Sequence, residues 1–173
     1  QIKTYSQDGR VFVKRALLKK KEYDWIILDA FNGDYIPEHL MTKEYLEETK
    51  RLLSPKGILT ANTFSSSKLY AYESATYKAV FGDYYQVSNP DNSNRIILAR
   101  NNGLDESIGK DWWVVDKSNN LDELATKLLA IGVDAKQLYK NMESTATHQD
   151  WPDDSPILTD QFSPANLLNI DTD

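Results

Sequence analysis

Short apolar runs alternate with amphipathic stretches along the chain, and this alternation sets the expected order of elements. Ile2 to Tyr5 reads as a short strand, Asp8-Gly9-Arg10 as a turn, and Val11 to Lys20 as a helix with Val11, Ala16, Leu17 and Leu18 apolar. Trp25-Ile26-Ile27-Leu28 is an unbroken apolar run that stops at Asp29, the pattern of a strand buried on both faces of a parallel sheet. Thr42 predicts an N-cap, because its hydroxyl can accept from a free amide of the first turn. Tyr45, Leu46, Thr49, Leu52 and Leu53 then mark one helical face, and Ser54-Pro55-Lys56-Gly57 predicts its stop. Ile58 to Asn62 reads as the next strand. A helix follows from about Lys68 to Phe81, with Leu69, Tyr72, Thr76 and Val80 inward and Gly82 ending it. Tyr84 to Val87 and Arg95 to Arg100 are joined by turn-forming residues only, which predicts an antiparallel hairpin. Leu121, Leu124, Ala125, Leu128 and Leu129 mark a helix capped by Asn119 or Asn120 and ended by Gly132, and Asp134 caps another reaching about Met142. Roughly the last 30 residues lack periodicity and predict a tail packed on the surface. Parallel βα units closed by an antiparallel hairpin form the second half of a doubly wound α/β sheet.

Length and composition narrow the picture. The 173 residues suffice for a single domain, 1–173, divided into an α/β core over 1–100 and a helical extension with its tail over 101–173. The chain does not begin with methionine, and the expectation is that it is a piece of something longer. Lys and Arg number 20 against 26 Asp and Glu, a net charge of −6 that repels phosphate backbones and predicts no nucleic-acid partner. The absence of cysteine excludes disulfides and thiol catalysis and fits a reducing, cytoplasmic setting. His39 and His148 alone cannot form a multi-histidine cage, so no metal is expected. No apolar run approaches the roughly 20 residues of a membrane span, and the first residues do not read as a signal peptide.

Ligands of open α/β sheets gather at the carboxyl ends of the strands. Three such ends are polar here: Asp8-Gly9-Arg10, Asp29, and Asn62 to Ser67. Asp29 follows four large apolar residues, which would set its carboxylate at the rim of a low-dielectric interior, aimed at a ligand. The alternative is a carboxylate that caps a loop. Asp8 could accept from an amino group of a ligand or cap the helix that follows, and spacing favours the cap. Arg10 reads as a surface or packing residue and His39 as a loop histidine. Tyr70, Tyr72 and Tyr77 share one helix as core or interface residues, and the tryptophans, including Trp112-Trp113, read as packing residues. Ser65-Ser66-Ser67 has no partner histidine, so a serine hydrolase is not supported.

The motifs also carry a resemblance. Asp8-Gly9-Arg10, then Tyr23 to Phe31, then Pro37-Glu38-His39-Leu40-Met41-Thr42-Lys43-Glu44-Tyr45, then Leu53-Ser54-Pro55-Lys56-Gly57-Ile58-Leu59 stand in the order and spacing of the spermidine synthase family. Ile157 to Pro164 resembles the closing motif of its spermidine-synthase-like branch. The resemblance covers residues 1 to about 100 and that tail, while Gly103 to Asp154 carries no motif of its own. It implies a class I methyltransferase-like Rossmann fold, a three-layer sandwich of which this is the C-terminal half. It implies S-adenosylmethionine or its decarboxylated form as co-substrate, and transfer of an aminopropyl group to a polyamine. It also implies that Asp8 and Gly9 hold the adenine and that Asp29 is the catalytic base. In the family a second Asp follows the base after a two-residue gap. Asp34 is offset from that place and is the candidate substrate-binding carboxylate. The family's glycine-rich loop and ribose-holding acidic residue are not in this sequence, so the chain alone is expected to be inactive and to form oligomers. The rivals are methyl transfer to another small acceptor and a non-catalytic interaction domain.

Overall fold

A computed structural model describes residues 2–30, 36–65, 69–88, 94–104 and 121–164. Its elements are α1 (Gly9–Leu18), β1 (Tyr23–Leu28), a 3₁₀ turn (Glu38–Leu40), α2 (Lys43–Lys50), β2 (Leu53–Phe64), α3 (Leu69–Phe81), β3 (Tyr85–Ser88), β4 (Asn94–Arg100), α4 (Leu121–Ala130), α5 (Ala135–Lys140) and β5 (Met142–Ser144). They build a five-stranded sheet in the order β1-β2-β4-β3-β5. The β1–β2 pair is parallel and the pairs β2–β4, β3–β4 and β3–β5 are antiparallel, so the expected hairpin is present.

One face of the sheet holds the core. Leu59 and Ala61 of β2 and Ile97 and Ala99 of β4 alternate inward, as the period of a strand requires, and meet Val13 and Ala16 of α1, Tyr45 and Leu46 of α2, and Tyr77, Val80 and Phe81 of α3. Each helix end has a chemical cause. Asp8 caps α1 by accepting from the Val11 amide, Thr42 caps α2 by accepting from the Tyr45 amide, and Gly82 ends α3 at a φ of +74°. Inside this layer Arg95 is fully buried. It donates to Thr63 Oγ1 at 3.1 Å, Ser74 Oγ at 2.7 Å and Gln86 Oε1 at 3.2 Å, and its guanidinium lies 4.2 Å from the Tyr70 ring centroid. Glu73 stands 3.9 Å away; burial pushes its carboxyl up to about 7 while the Arg95 charge pulls the other way.

Several expectations need correction. Ile2 to Tyr5 is not a strand: no strand of the described residues lies beside it, and β1 is left as the edge of the sheet. The apolar run of β1 is not buried on both faces either, because α1, α2 and α3 all pack on one face of the sheet. Trp25 is 63% and Ile27 59% exposed, while Ile26 and Leu28 pack on the core. Ser54 to Gly57 does not separate helix from strand but lies within β2, where the pairing jumps from Tyr23↔Leu53 to Trp25↔Ile58. The surplus residues bulge, a place that suits a proline without an amide. A Cβ on Gly57 would come within 3.0 Å of Leu53 Cβ and of Ser54 backbone atoms, so the bulge needs the glycine. Tyr72 is only half-buried, whereas Glu73 and Tyr77 face inward. The tail is anchored rather than laid on the surface. Residues 142–144 form β5, Trp151 stacks on Tyr84 with centroids 6.2 Å apart, and Leu158 is fully buried beside Ile36, Met41 and Leu69. Trp112 and Trp113 lie outside the described residues.

Candidate functional site

A helix that precedes a parallel strand runs antiparallel to it, so the start of α1 and the end of β1 lie at one rim of the sheet. The structure builds two groups of polar side chains there. The first centres on Asp8. Its Oδ1 accepts from the Val11 amide at 3.0 Å, and its Oδ2 lies 2.7 Å from Nε2 of His39 in the 3₁₀ turn. The His39 hydrogen bond, aided by the Val11 amide, holds the Asp8 carboxyl below the usual carboxylate range. The spacing argument for a helix cap is therefore correct, and the cap leaves the second oxygen directed toward His39. Gly9 opens α1, and a Cβ there would meet Leu40 and Tyr45 Oη only at ordinary contact distances, 3.7 to 3.8 Å.

Arg10 and the tail brace this group. Arg10 donates through Nη1 and Nη2 to both oxygens of Asp160, at 2.6 and 2.7 Å, and through Nε to Glu48 at 3.3 Å. The Thr42 hydroxyl donates to Asp160 Oδ1 at 2.7 Å, and the Asp160 amide donates to Glu44 at 3.0 Å. The Arg10 guanidinium keeps the Asp160 carboxyl below its ordinary range, and Asp160 in turn raises the affinity of Arg10 for its proton. Phe162 stacks on Tyr72, with centroids 6.5 Å apart. Sequence reading took Arg10 as a surface or packing residue and His39 as a loop residue. The helical turn from Thr42 and the motif containing Asp160 were the available signals, but nothing in linear spacing joins positions 10 and 160.

The second group centres on Asp29, just beyond β1. Its carboxylate is exposed rather than set into a low-dielectric rim, because it follows Trp25 and Ile27 on the face of the sheet turned away from the core. Asn62 Nδ2 donates to Asp29 Oδ1 at 3.1 Å, and Asn94 Nδ2 donates to Asn62 Oδ1 at 3.0 Å. Among the described residues no cation is paired with Asp29, and no hydrogen bond or ion pair joins the two groups. Asn62 and Asn94 also line an open cleft of about 550 Å³, walled by Val87 and Ile96 of the sheet and by Gly132 to Asn141 around α5. Asp34 lies outside the described residues.

Neither group offers a metal cage: among the described residues no cluster of three or more His, Cys, Asp or Glu could hold an ion. No helix among them is long and apolar enough to cross a membrane. Asp8 is exposed at the start of α1, with one carboxylate oxygen on the Val11 amide and the other on His39.

The parallel β1–β2 pair, its antiparallel continuation and the helical layer define an α/β protein of the class I methyltransferase-like Rossmann fold. Two solved structures share it. A probable spermidine synthase from Corynebacterium glutamicum ATCC 13032 aligns with a TM-score of 0.61 at 21% identity, over 90% of this chain and 53% of that one. Human methyltransferase-like protein 13, in complex with SAH, aligns with a TM-score of 0.51 at 18% identity, over 88% of this chain and 63% of that one. No family model matches the chain. In sequence it is 47% identical over 167 residues to the polyamine aminopropyltransferase of Vibrio vulnificus (strain CMCP6), across 96% of this chain and 52% of that protein. The resemblance to the spermidine synthase family therefore holds along nearly the whole chain, a span too long to leave out Gly103 to Asp154. The chain spans about half the length of the curated relative it matches.

Proposed function

We propose that this chain is the acceptor-side half of a spermidine-synthase-like transferase, which moves an aminopropyl group from decarboxylated S-adenosylmethionine to an amine. The observation that carries the reading is Asp29: an exposed carboxylate at the carboxyl end of β1, held by a neutral amide and paired with no cation among the described residues. Such a carboxylate is free to take a proton. The acceptor nitrogen needs a lone pair to attack the carbon bound to the sulfonium, and a protonated amine has none. Asp29 removes that proton and aligns the nitrogen. The new C–N bond forms as the C–S bond breaks, and the sulfur leaves as a neutral thioether with the bonding electrons. Asp8 and the Gly9 amide would hold the adenine end of the co-substrate, and Asp34 the far end of the amine.

The test is Asp29→Asn in the full-length protein, assayed with putrescine and decarboxylated S-adenosylmethionine. Turnover is expected to fall roughly 10²–10⁴-fold with co-substrate affinity nearly unchanged. Asp8→Ala is expected to weaken co-substrate binding first. Full activity of Asp29→Asn would overturn the assignment.

A further inference from the structure

We infer that Asn62 is the positioning residue of Asp29, and that Asn94 sets the orientation in which Asn62 works. The inference rests on the reading of Asp29 as the base. Three adjacent strands contribute. Leu28 pairs with Ala61, which puts Asp29 level with Asn62, and Asn62 pairs with Ile96 of β4. Asn94 is two residues before Ile96 on the same face, the diagonal neighbour of Asn62 across the antiparallel pair. The chain of bonds therefore follows from strand register, with each side chain carried by or directly beside a strand rather than by a mobile loop.

A primary amide has two donors and one acceptor, and its two ends must not be exchanged here. Asp29 as a carboxylate can only accept, so Asn62 must present Nδ2 to it. Donation from Asn94 Nδ2 satisfies Asn62 Oδ1 in that orientation and so favours it. With the amide turned over, Asn62 Oδ1 would face the carboxylate oxygen and repel it. The pair thus holds one oxygen of Asp29 in place and leaves the other for the incoming amine. A neutral donor suits this task better than lysine or arginine, since a cation beside the base would compete with an ammonium substrate. Both asparagines line the 550 Å³ cleft, so the relay is reached from the outward side of the sheet as well.

Two measurements test this. In the chain itself, the side-chain amide resonances of Asn62 are expected to move in both Asp29→Ala and Asn94→Ala. Asn62 resonances that are indifferent to Asp29→Ala would overturn the relay. In the full-length protein with putrescine and decarboxylated S-adenosylmethionine, Asn62→Leu is expected to lower kcat roughly 10-fold while KM for the sulfonium donor stays within about twofold. Asn62→Gln, which keeps the amide, should restore part of the loss. Asn94→Ala should lower kcat about threefold alone and add nothing in the Asn62→Leu background, since it acts through Asn62. Normal turnover in Asn62→Leu, with Asp29→Asn inactive, would overturn the positioning role and leave the base standing. Full turnover in Asp29→Asn would remove the base and this inference with it.

Discussion

The two polar groups at the rim of the sheet are built on opposite principles. Around Asp8 the contacts reach across the chain: His39 hydrogen-bonds one oxygen, and beside it Arg10 grips Asp160 from the tail in an ion pair. Around Asp29 they are neutral amides fixed by strand pairing. An ionic clamp can hold a distant segment in place, but it occupies the groups it uses. A neutral relay holds almost nothing together and, among the described residues, leaves its carboxylate without a cation. The comparison separates a corner that ties the tail to α1 from one whose contacts are neutral and set by strand register.

Breaking the tail's anchor should give the largest effect. Leu158 is fully buried, so Leu158→Ala is expected to cost about 2–5 kcal/mol in denaturant unfolding and to release the segment that carries Asp160. Arg10→Met comes next. It strands Asp160 without its cation, leaves Glu48 with Lys14 alone, and should cost about 2 kcal/mol, with faster proteolysis of the tail as a second readout. Acid separates the corners more gently. Asp8 and Asp160 both have folded values below the ordinary 3.8, so their contribution is present above about pH 4 and is lost as pH falls through those lowered values. The Val11 amide signal should then move in step with the titration of Asp8, because its bond is to that carboxylate. The smallest effect is expected at the other corner. Asp29→Asn should change unfolding free energy by less than about 0.5 kcal/mol, and a larger loss would mean that Asp29 is a structural cap after all.

The legible and illegible parts of the molecule divide along physical lines. Helix caps at Asp8, Thr42 and Asp134, the glycine stop at Gly82 and the hairpin between β3 and β4 depend on residues close in sequence, and each could be read from spacing. The exposure of Trp25 and Ile27 depends on which face of the sheet the helices cover, which no local pattern reveals. Residues 142–144 are too few to show a strand period, and they gain their partners only from β3. Of the candidate site, Asp8 and Asp29 were visible because they follow a turn or an apolar run. Asn62 could be read only as part of a polar strand end. His39, Arg10 and Asp160 needed the tertiary fold, since their partners are 29 or more positions away.

The clamp between Arg10 and Asp160 also sets an order in time. Its partners are 150 positions apart, and the Thr42 bond to the same carboxylate spans 118. A chain made from its N-terminus can pair β1 with β2, and thereby place Asp29 beside Asn62, well before Asp160 has been synthesised. The Asp8–His39 contact can form as early, but the brace on Arg10 must wait for Asp160 and bears the larger loop-closure cost. A chain cut just before Leu158 would keep Asp29 and its relay but lose the brace on Arg10. Damage around Leu158 would thus be felt at the start of α1, at the corner proposed to bind the co-substrate.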